Sequence, residues 1–187
     1  MYLLINTAFS EVEITLFNEH IIDFYKKWKT RNESFEIIQE ISKLDLSKLK
    51  GVLVCNGPGR FISLRVGVAL SQTLSYTKKI PIYSFTSFQY MKVLCHKNKE
   101  NIVFLQQVGM NEVFVNGELK KFEELTQKPT YWAGELKTPQ FLPEIWEEKE
   151  LPERNLDFFL ELLKNLKPVK HVSIEYGKKP SISISKK

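Results

Sequence analysis

Little in this sequence invites metal, redox or covalent chemistry. Only two cysteines are present, Cys55 and Cys95. Each lies in an apolar or mixed segment, the setting of buried thiols rather than of a disulfide or metal pair. The three histidines, His20, His96 and His171, are far apart. None has a His or Glu at the spacing of a helical metal motif, so no metal site is expected. There is no Gly-x-Ser-x-Gly elbow and no His close in sequence to either Cys, which argues against a nucleophilic hydrolase. Neither the Rossmann glycine pattern nor a Walker A loop occurs. No apolar run approaches the ~20 residues of a membrane span. The N-terminus enters a strand pattern without a basic region or a cleavage site, so no signal peptide is expected and the cytoplasm is the default location. No internal repeat is visible.

What is present is a globular composition. Of 187 residues, 43% are hydrophobic and 12% aromatic, enough to bury a core as one domain or two small lobes. The net charge is +5, with 27 basic against 22 acidic residues. That balance is compatible with a nucleic-acid partner. The lysine pairs Lys120-Lys121, Lys178-Lys179 and Lys186-Lys187 are nevertheless dispersed. They read as a solvated surface, and any binding of nucleic acid by this chain is expected to be weak and salt-sensitive. Glu123-Glu124 and Glu147-Glu148 read as solvated acidic pairs.

The chain is organised around residues 55–67, Cys-Asn-Gly-Pro-Gly-Arg-Phe-Ile-Ser-Leu-Arg-Val-Gly. An apolar strand, 51–55, precedes a glycine turn, and a proline-free segment from Leu64 to Tyr76 reads as a helix. Such a turn is either a tight connection or a candidate anion site, built from Gly57, Gly59, Arg60 and Arg65. Arg65 stands early in the helix, where the macrodipole disfavours a cation, so a carboxylate or other anion is expected beside it. Ser63, Gly67, Ser71 and Ser75 recur every fourth residue. Small residues so aligned let another element approach closely, inside the domain or at a subunit seam.

Before this stretch come three strand patterns, 2–6, 12–17 and 21–28. A helix over 34–44, capped by Asn32 or Ser34, then presents Phe35, Ile37, Ile38, Ile41 and Leu44 on a wide apolar arc. After it come a strand at 80–83 and a short helix at 87–96. A hairpin of 102–107 with 113–116 turns around Gly109-Met110-Asn111, and 119–125 is mixed. A proline-punctuated connection follows, then an amphipathic helix over 155–166 and a closing strand at 169–176. Residues 181–187 are expected to fray.

Residues 55–67 resemble the Gly-x-Gly-Ser-Phe-Thr-Gly-Leu-Arg-x-Gly stretch of the TsaB (YeaZ) family. That family is the non-catalytic partner in bacterial synthesis of threonylcarbamoyladenosine in tRNA. Leu3-Leu4-Ile5-Asn6-Thr7-Ala8 is similar to its opening strand, which ends Asp-Thr-Ser. Ile80-Pro81-Ile82-Tyr83-Ser84-Phe85-Thr86-Ser87-Phe88 is similar to its Ile-Pro-Val-x-x-Val-x-Ser-Leu. Glu112-Val113-Phe114 and Tyr176-Gly177-Lys178-Lys179-Pro180 resemble its Glu-Val-Tyr and Tyr-x-Arg-x-Pro. The match is good over the first half and thin beyond it. Asn6 replaces Asp and Ala8 replaces Ser, while Arg60, Ile62 and Ser63 replace Ser, Thr and Gly.

The resemblance implies an α/β fold of the actin/hexokinase/Hsp70-like (ribonuclease H-like) kind. A lobe with a mixed sheet would span 1–99 and a reduced lobe 100–187. It also implies an accessory subunit without catalytic residues, metal or cofactor, joined to a TsaD-like catalytic subunit and a TsaE-like ATPase. The partner interface would lie on Phe35, Ile38, Ile41, Ser63, Gly67, Ser71 and Ser75. A second copy of the chain would take that face when the partner is absent. The alternatives are a stand-alone actin-like ATPase or kinase, and a basic RNA-binding module. The enzyme alternative needs a carboxylate on the first strand to position Mg²⁺, where this chain has neutral Asn6.

Overall fold

A computed structural model describes residues 1–95, 102–107, 110–128 and 130–177. The turn at Gly109, the expected boundary near 97–100, His96, and the family-like Lys178-Lys179-Pro180 with the tail after it lie outside the described residues. The first sheet opens with an antiparallel meander of β1 (Tyr2–Asn6), β2 (Val12–Phe17) and β3 (Ile22–Trp28). Helix α1 (Glu33–Ser42) leads to β4 (Gly51–Gly57), which joins β1 in parallel. Helix α2 (Phe61–Lys78) leads to β5 (Ile82–Thr86), parallel to β4. Three antiparallel strands before the first helix, then parallel β-α-β units, is the order expected of an actin-like lobe.

Helix α3 (Ser87–Cys95) connects to a second, five-stranded sheet. Its strands are β6 (Ile102–Gln107), β7 (Glu112–Val115), β8 (Glu118–Lys121), β9 (Thr130–Glu135) and β10 (Trp146–Glu148), in the order β10-β9-β6-β7-β8. The segment expected to be mixed is β8 followed by a 3₁₀ turn at Phe122–Glu124. Asn116 (φ 49°) and Gly117 (φ 99°) make the two-residue turn between β7 and β8, since both positions there need positive φ. Helix α4 (Leu156–Lys164), capped by Asn155 through the Phe158 N–H, and β11 (Pro168–Val169) return to the first sheet, where β11 pairs with β5. The stretch after residue 150 therefore packs with residues 1–95.

Strand alternation puts the two faces of the first sheet under different covers. Leu3, Ile5 and Val52 face α1 and α2, packing with Ile37, Ile41, Val66 and Leu70. Leu4, Leu53 and Cys55 face the other way, against Tyr90 and Met91 of α3 and Phe158, Phe159 and Leu162 of α4. Burial of a side chain such as Ile37 or Phe159 contributes about 1.5–3 kcal/mol. The two sheets meet through aromatic rings, with Phe88 of α3 edge-on to both Phe104 and Phe114 at 5.6 Å.

The expected closing strand at 169–176 is corrected. Only Pro168–Val169 joins the ladder. Beyond it the chain is held largely by side chains. Val172 N–H donates to Gln72 Oε1 (3.1 Å), and Asn56 Nδ2 donates to the Ser173 carbonyl (3.0 Å). The Glu175 N–H donates to the Asn56 carbonyl (2.8 Å).

Helix α2 sits close to β1 through its small-residue face. A Cβ added at Gly67 would lie 2.4 Å from Thr7 Oγ1 on the β1–β2 connection, and Ser63 and Ser71 are buried. Gly67→Leu is predicted to overpack this contact at a cost of at least ~1–3 kcal/mol. At roughly 2–4 °C per kcal/mol for a chain of this size, the thermal midpoint falls by several degrees. An unchanged midpoint in calorimetry would show that the helix can move off the sheet without cost.

Candidate partner surface and interlobe cleft

Helix α2 begins at Phe61, three residues before its expected start, with Arg60 in an extended conformation (φ −65°, ψ 118°) as N-cap and no side-chain cap of its own. The side chains of this first turn are held from α1. The Glu33 carboxylate, about nine-tenths buried, accepts from Arg60 Nη2 (2.6 Å) and from Ser63 Oγ (3.0 Å). A carboxylate there also complements the positive end of α2. The C-terminal end of α2 is tied to the segment after α1, since Lys78 Nζ donates to the Leu46 carbonyl (3.2 Å). On its other flank α1 is held to β3 by Trp28 Nε1 donating to Glu36 (2.9 Å).

The expected interface residues divide in two. Phe35 and Ile38 are exposed on the outer face of α1. Ile41, Ser63, Gly67 and Ser71 are buried within the chain, and Ser75 donates its hydroxyl to the Ile80 carbonyl (2.6 Å). Their placement on an outer seam is corrected, because the small residues serve the approach of α2 to its own sheet. The exposed side of α2 carries Phe61, Ile62, Arg65, Ala69, Thr73 and Tyr76 instead. Positions 62, 65, 69, 73 and 76 follow three- and four-residue steps, so they share one face.

The glycine turn is a junction of three segments. Gly57 has φ 115°, and a Cβ on it would meet the Glu175 carbonyl at 2.2 Å; one on Gly59 would meet the Ala8 carbonyl at 2.5 Å. The Arg60 N–H is spent on that same Ala8 carbonyl (3.2 Å). Gly59 and Arg60 line the interlobe cleft, whereas Gly57 and Arg65 do not. Among the described residues, Arg65 is bordered by aromatic rings rather than by the expected carboxylate or other anion. Its guanidinium lies 4.0 Å from the Phe61 ring centroid, and its Nε donates to the Tyr176 hydroxyl (3.3 Å). Tyr176 in turn packs on Phe61 at 4.7 Å. A cation over π faces is attracted by the ring quadrupoles.

The cleft between the sheets has a volume of about 1320 Å³ and is lined by Arg31, Arg60, Trp132, Glu135 and Tyr176 among others. Glu135 of β9 crosses it. Its carboxylate accepts from the Ser10 N–H (2.8 and 2.9 Å) and from Ser10 Oγ (2.6 Å). No group of three or more His, Cys, Asp or Glu side chains is placed to hold a metal among the described residues.

The first sheet encloses a polar cluster of which the sequence flagged only Asn6. Asn6 on β1 stands opposite Glu13 on β2, and both are buried. Asn6 Oδ1 accepts from the Ala8 N–H (3.2 Å). Glu13 Oε2 accepts from the Tyr90 hydroxyl (2.5 Å), and Arg154 Nε donates to that hydroxyl oxygen (3.1 Å). Burial pushes the Glu13 carboxyl above its ordinary 4.5, outweighing the pull of Tyr90 and Arg154. Burial, and then Glu13 itself, pushes Tyr90 well above the usual phenol range.

An acid whose pKa is raised by folding contributes stability that is complete below its unfolded value and lost as pH rises through the folded one. The wild-type midpoint should therefore fall relative to Glu13→Gln as pH rises above 4.5. The amide retains an acceptor for Tyr90 and does not titrate. Parallel midpoint-against-pH curves for the two proteins would contradict this assignment.

Residues 33–136, more than half of the sequence, match the family model described as TsaD: tRNA N6-adenosine threonylcarbamoyltransferase. The protein is similar to two curated relatives named tRNA threonylcarbamoyladenosine biosynthesis protein TsaB. The one from Buchnera aphidicola subsp. Schizaphis graminum is 22% identical over 141 residues, covering 71% of this chain and 64% of the relative. The one from Buchnera aphidicola subsp. Acyrthosiphon pisum is 33% identical over 79 residues, covering 40% and 36%. The matches thus span about two-thirds of the first relative's length and about one-third of the second's. Among solved structures, YeaZ from Pseudomonas aeruginosa superposes with a TM-score of 0.65 at 14% identity, over 87% of this chain and 90% of that one. A Pseudomonas aeruginosa protein described as similar to peptidase YeaZ gives 0.69 at 13%, over 94% and 98%. These two share the fold, which is the actin-like, ribonuclease H-like architecture. The family model, which runs from α1 through the glycine turn to β9, shows that the chain belongs to the family it describes, and the curated relatives it resembles there carry the TsaB name.

Proposed function

We infer that this chain is a non-catalytic accessory subunit in the synthesis of threonylcarbamoyladenosine in tRNA. It holds a TsaD-like catalytic subunit, with a TsaE-like ATPase as a further companion. The observation that carries this reading is the apolar side of the paired helices, where Phe35 is 62% exposed, Ile38 55%, Ile62 71% and Tyr76 86%. Large apolar side chains gathered on one face mark an interaction surface. Two helices of a partner complete it as a four-helix contact, and a second copy of the chain takes the same face when the partner is absent.

The state of β1 supports the non-catalytic part. Where an actin-like phosphotransferase needs an aspartate, Asn6 is neutral and already engaged with Ala8. The neighbouring carboxyl, Glu13, is buried and bonded to Tyr90. The dispersed lysines support an indirect or weak role in contacting tRNA. No described helix is long and apolar enough to cross a membrane, and a cytoplasmic place of work goes with this role.

Mixed with the TsaD-like subunit of its own cell, the chain should co-elute in size exclusion. Phe35→Asp with Ile38→Asp should abolish co-elution while leaving the thermal midpoint of the free chain within a few degrees. Unimpaired co-elution of that variant would place the contact elsewhere. The isolated chain should also release no phosphate from ATP above a buffer blank. Release that co-purifies with the chain and is lost in Asn6→Ala would overturn the non-catalytic reading.

A further inference from the structure

Five hydrogen-bonded residues run in a line from the second sheet to the starts of α1 and α2. Glu135 of β9 accepts from the N–H and the hydroxyl of Ser10 across the cleft. The Ser10 carbonyl accepts from Arg60 Nη1 (3.4 Å). Arg60 Nη2 donates to Glu33, and Ser63 donates to the same oxygen. The links span 125, 50, 27 and 30 positions of sequence, so tertiary placement alone holds the line together. Both helix starts need such outside support. Neither Asn32, the N-cap of α1, nor Arg60, the N-cap of α2, caps its helix with its own side chain. The first turns are closed only by the Glu36 N–H on the Asn32 carbonyl (3.1 Å) and the Leu64 N–H on the Arg60 carbonyl (2.9 Å). Uncapped first turns leave N–H groups unsatisfied and fray.

We propose that Glu135, Ser10, Arg60 and Glu33 form a relay by which the seating of the second sheet on the β1–β2 connection controls the order of the first turns of α1 and α2. Glu135 is the latch. When it leaves Ser10, the Ser10 carbonyl loses its fixed position, Arg60 loses one anchor, and Glu33 is left with a freer guanidinium. The pivot beside the latch is apolar. Phe9, next to Ser10, lies edge-on to Phe104 of β6 at 6.1 Å, and Phe88 packs on both Phe104 and Phe114. Apolar contact is non-directional and tolerates a small tilt, whereas hydrogen bonds weaken steeply once misaligned. A tilt of the second sheet is therefore felt first along the polar line. Coupling between distant elements is carried by a contiguous network with two discrete arrangements. Glu135 latched on Ser10 and Glu135 released are those two. The relay is a property of the free chain and goes beyond the accessory role.

The test is amide hydrogen exchange read residue by residue by NMR on the full chain. The proteins are wild type, Glu135→Ala, Glu135→Gln, Arg60→Met, and Glu135→Ala combined with Arg60→Met. Glu135→Ala should speed exchange of the Glu36 and Leu64 N–H groups about tenfold through local opening, with Leu53 at the centre of the first sheet unchanged. Glu135→Gln, which keeps an acceptor for Ser10, should recover part of the loss. Arg60→Met should speed the same two amides by itself, and adding Glu135→Ala to it should change them no further, because residues in one network are not additive. If Glu135→Ala speeds Ser10 alone, the latch is local and the relay fails. If Leu53 accelerates in step with Glu36 and Leu64, the loss is global and the relay fails as well. If the effect of Glu135→Ala on Glu36 and Leu64 persists undiminished in Arg60→Met, the coupling bypasses Arg60 and the proposed line is wrong.

Discussion

The seating of α2 on β1 governs the rest of the molecule. With no side chain at position 67, the helix axis comes close enough for Thr7 to fill the gap, and interaxial distance follows the size of the residues between. That choice fixes the rotation of α2 about its axis. Ser63, Gly67 and Ser71 turn inward, Val66 and Leu70 turn toward α1, and Ile62, Ala69, Thr73 and Tyr76 are left to solvent. The face available to a partner is the residue of an internal packing requirement. The same close approach brings the first turn of α2 beside Glu33 and the glycine turn beside the β1–β2 connection.

Charge is treated differently on the two sides of the first sheet. On the α1/α2 side, Glu33 is paired with Arg60 at the border of the cleft, where the guanidinium stays partly hydrated. On the α3/α4 side, Glu13 is fully enclosed, and its partner is a phenol rather than a cation, with Arg154 one step further away. A buried carboxylate so placed is driven toward its neutral form. The centre of the sheet, where an actin-like enzyme keeps anionic groups for a hydrated cation, is here neutral Asn6 beside a carboxyl pushed toward protonation.

Most of the first lobe was legible because its signals are local. The alternation of Val12, Ile14 and Leu16, the apolar run before the glycine turn and the proline-free helix after it each follow from periodicity. The outward direction of Phe35 and Ile38 was legible as the surplus of an over-wide apolar arc. The rotation of α2 was not, because its exposed and buried sides are both partly apolar, and a stripe of small residues fits an inner contact as well as an outer one. The start of α2 was missed because it carries no local cap and its first turn is steadied by Glu33, remote in sequence. Arg65 was assigned a counter-ion because the macrodipole argument is local, whereas its aromatic cradle depends on Tyr176 arriving from the far end of the chain. The Asn116-Gly117 turn was a readable signal that went unused. The Glu13–Tyr90–Arg154 cluster left no trace in sequence, since nothing local distinguishes a buried glutamate on an alternating strand from an exposed one.

The central claim is that the outer side of α1 and α2 is where this chain meets its catalytic partner. Amide hydrogen exchange of the chain, alone and with the TsaD-like subunit bound, tests it most directly. The account predicts added protection concentrated in peptides covering 33–42 and 61–78, with the β7–β8 hairpin unchanged. Protection confined to the second sheet or to the strands lining the cleft, with both helices exchanging as in the free chain, would contradict it.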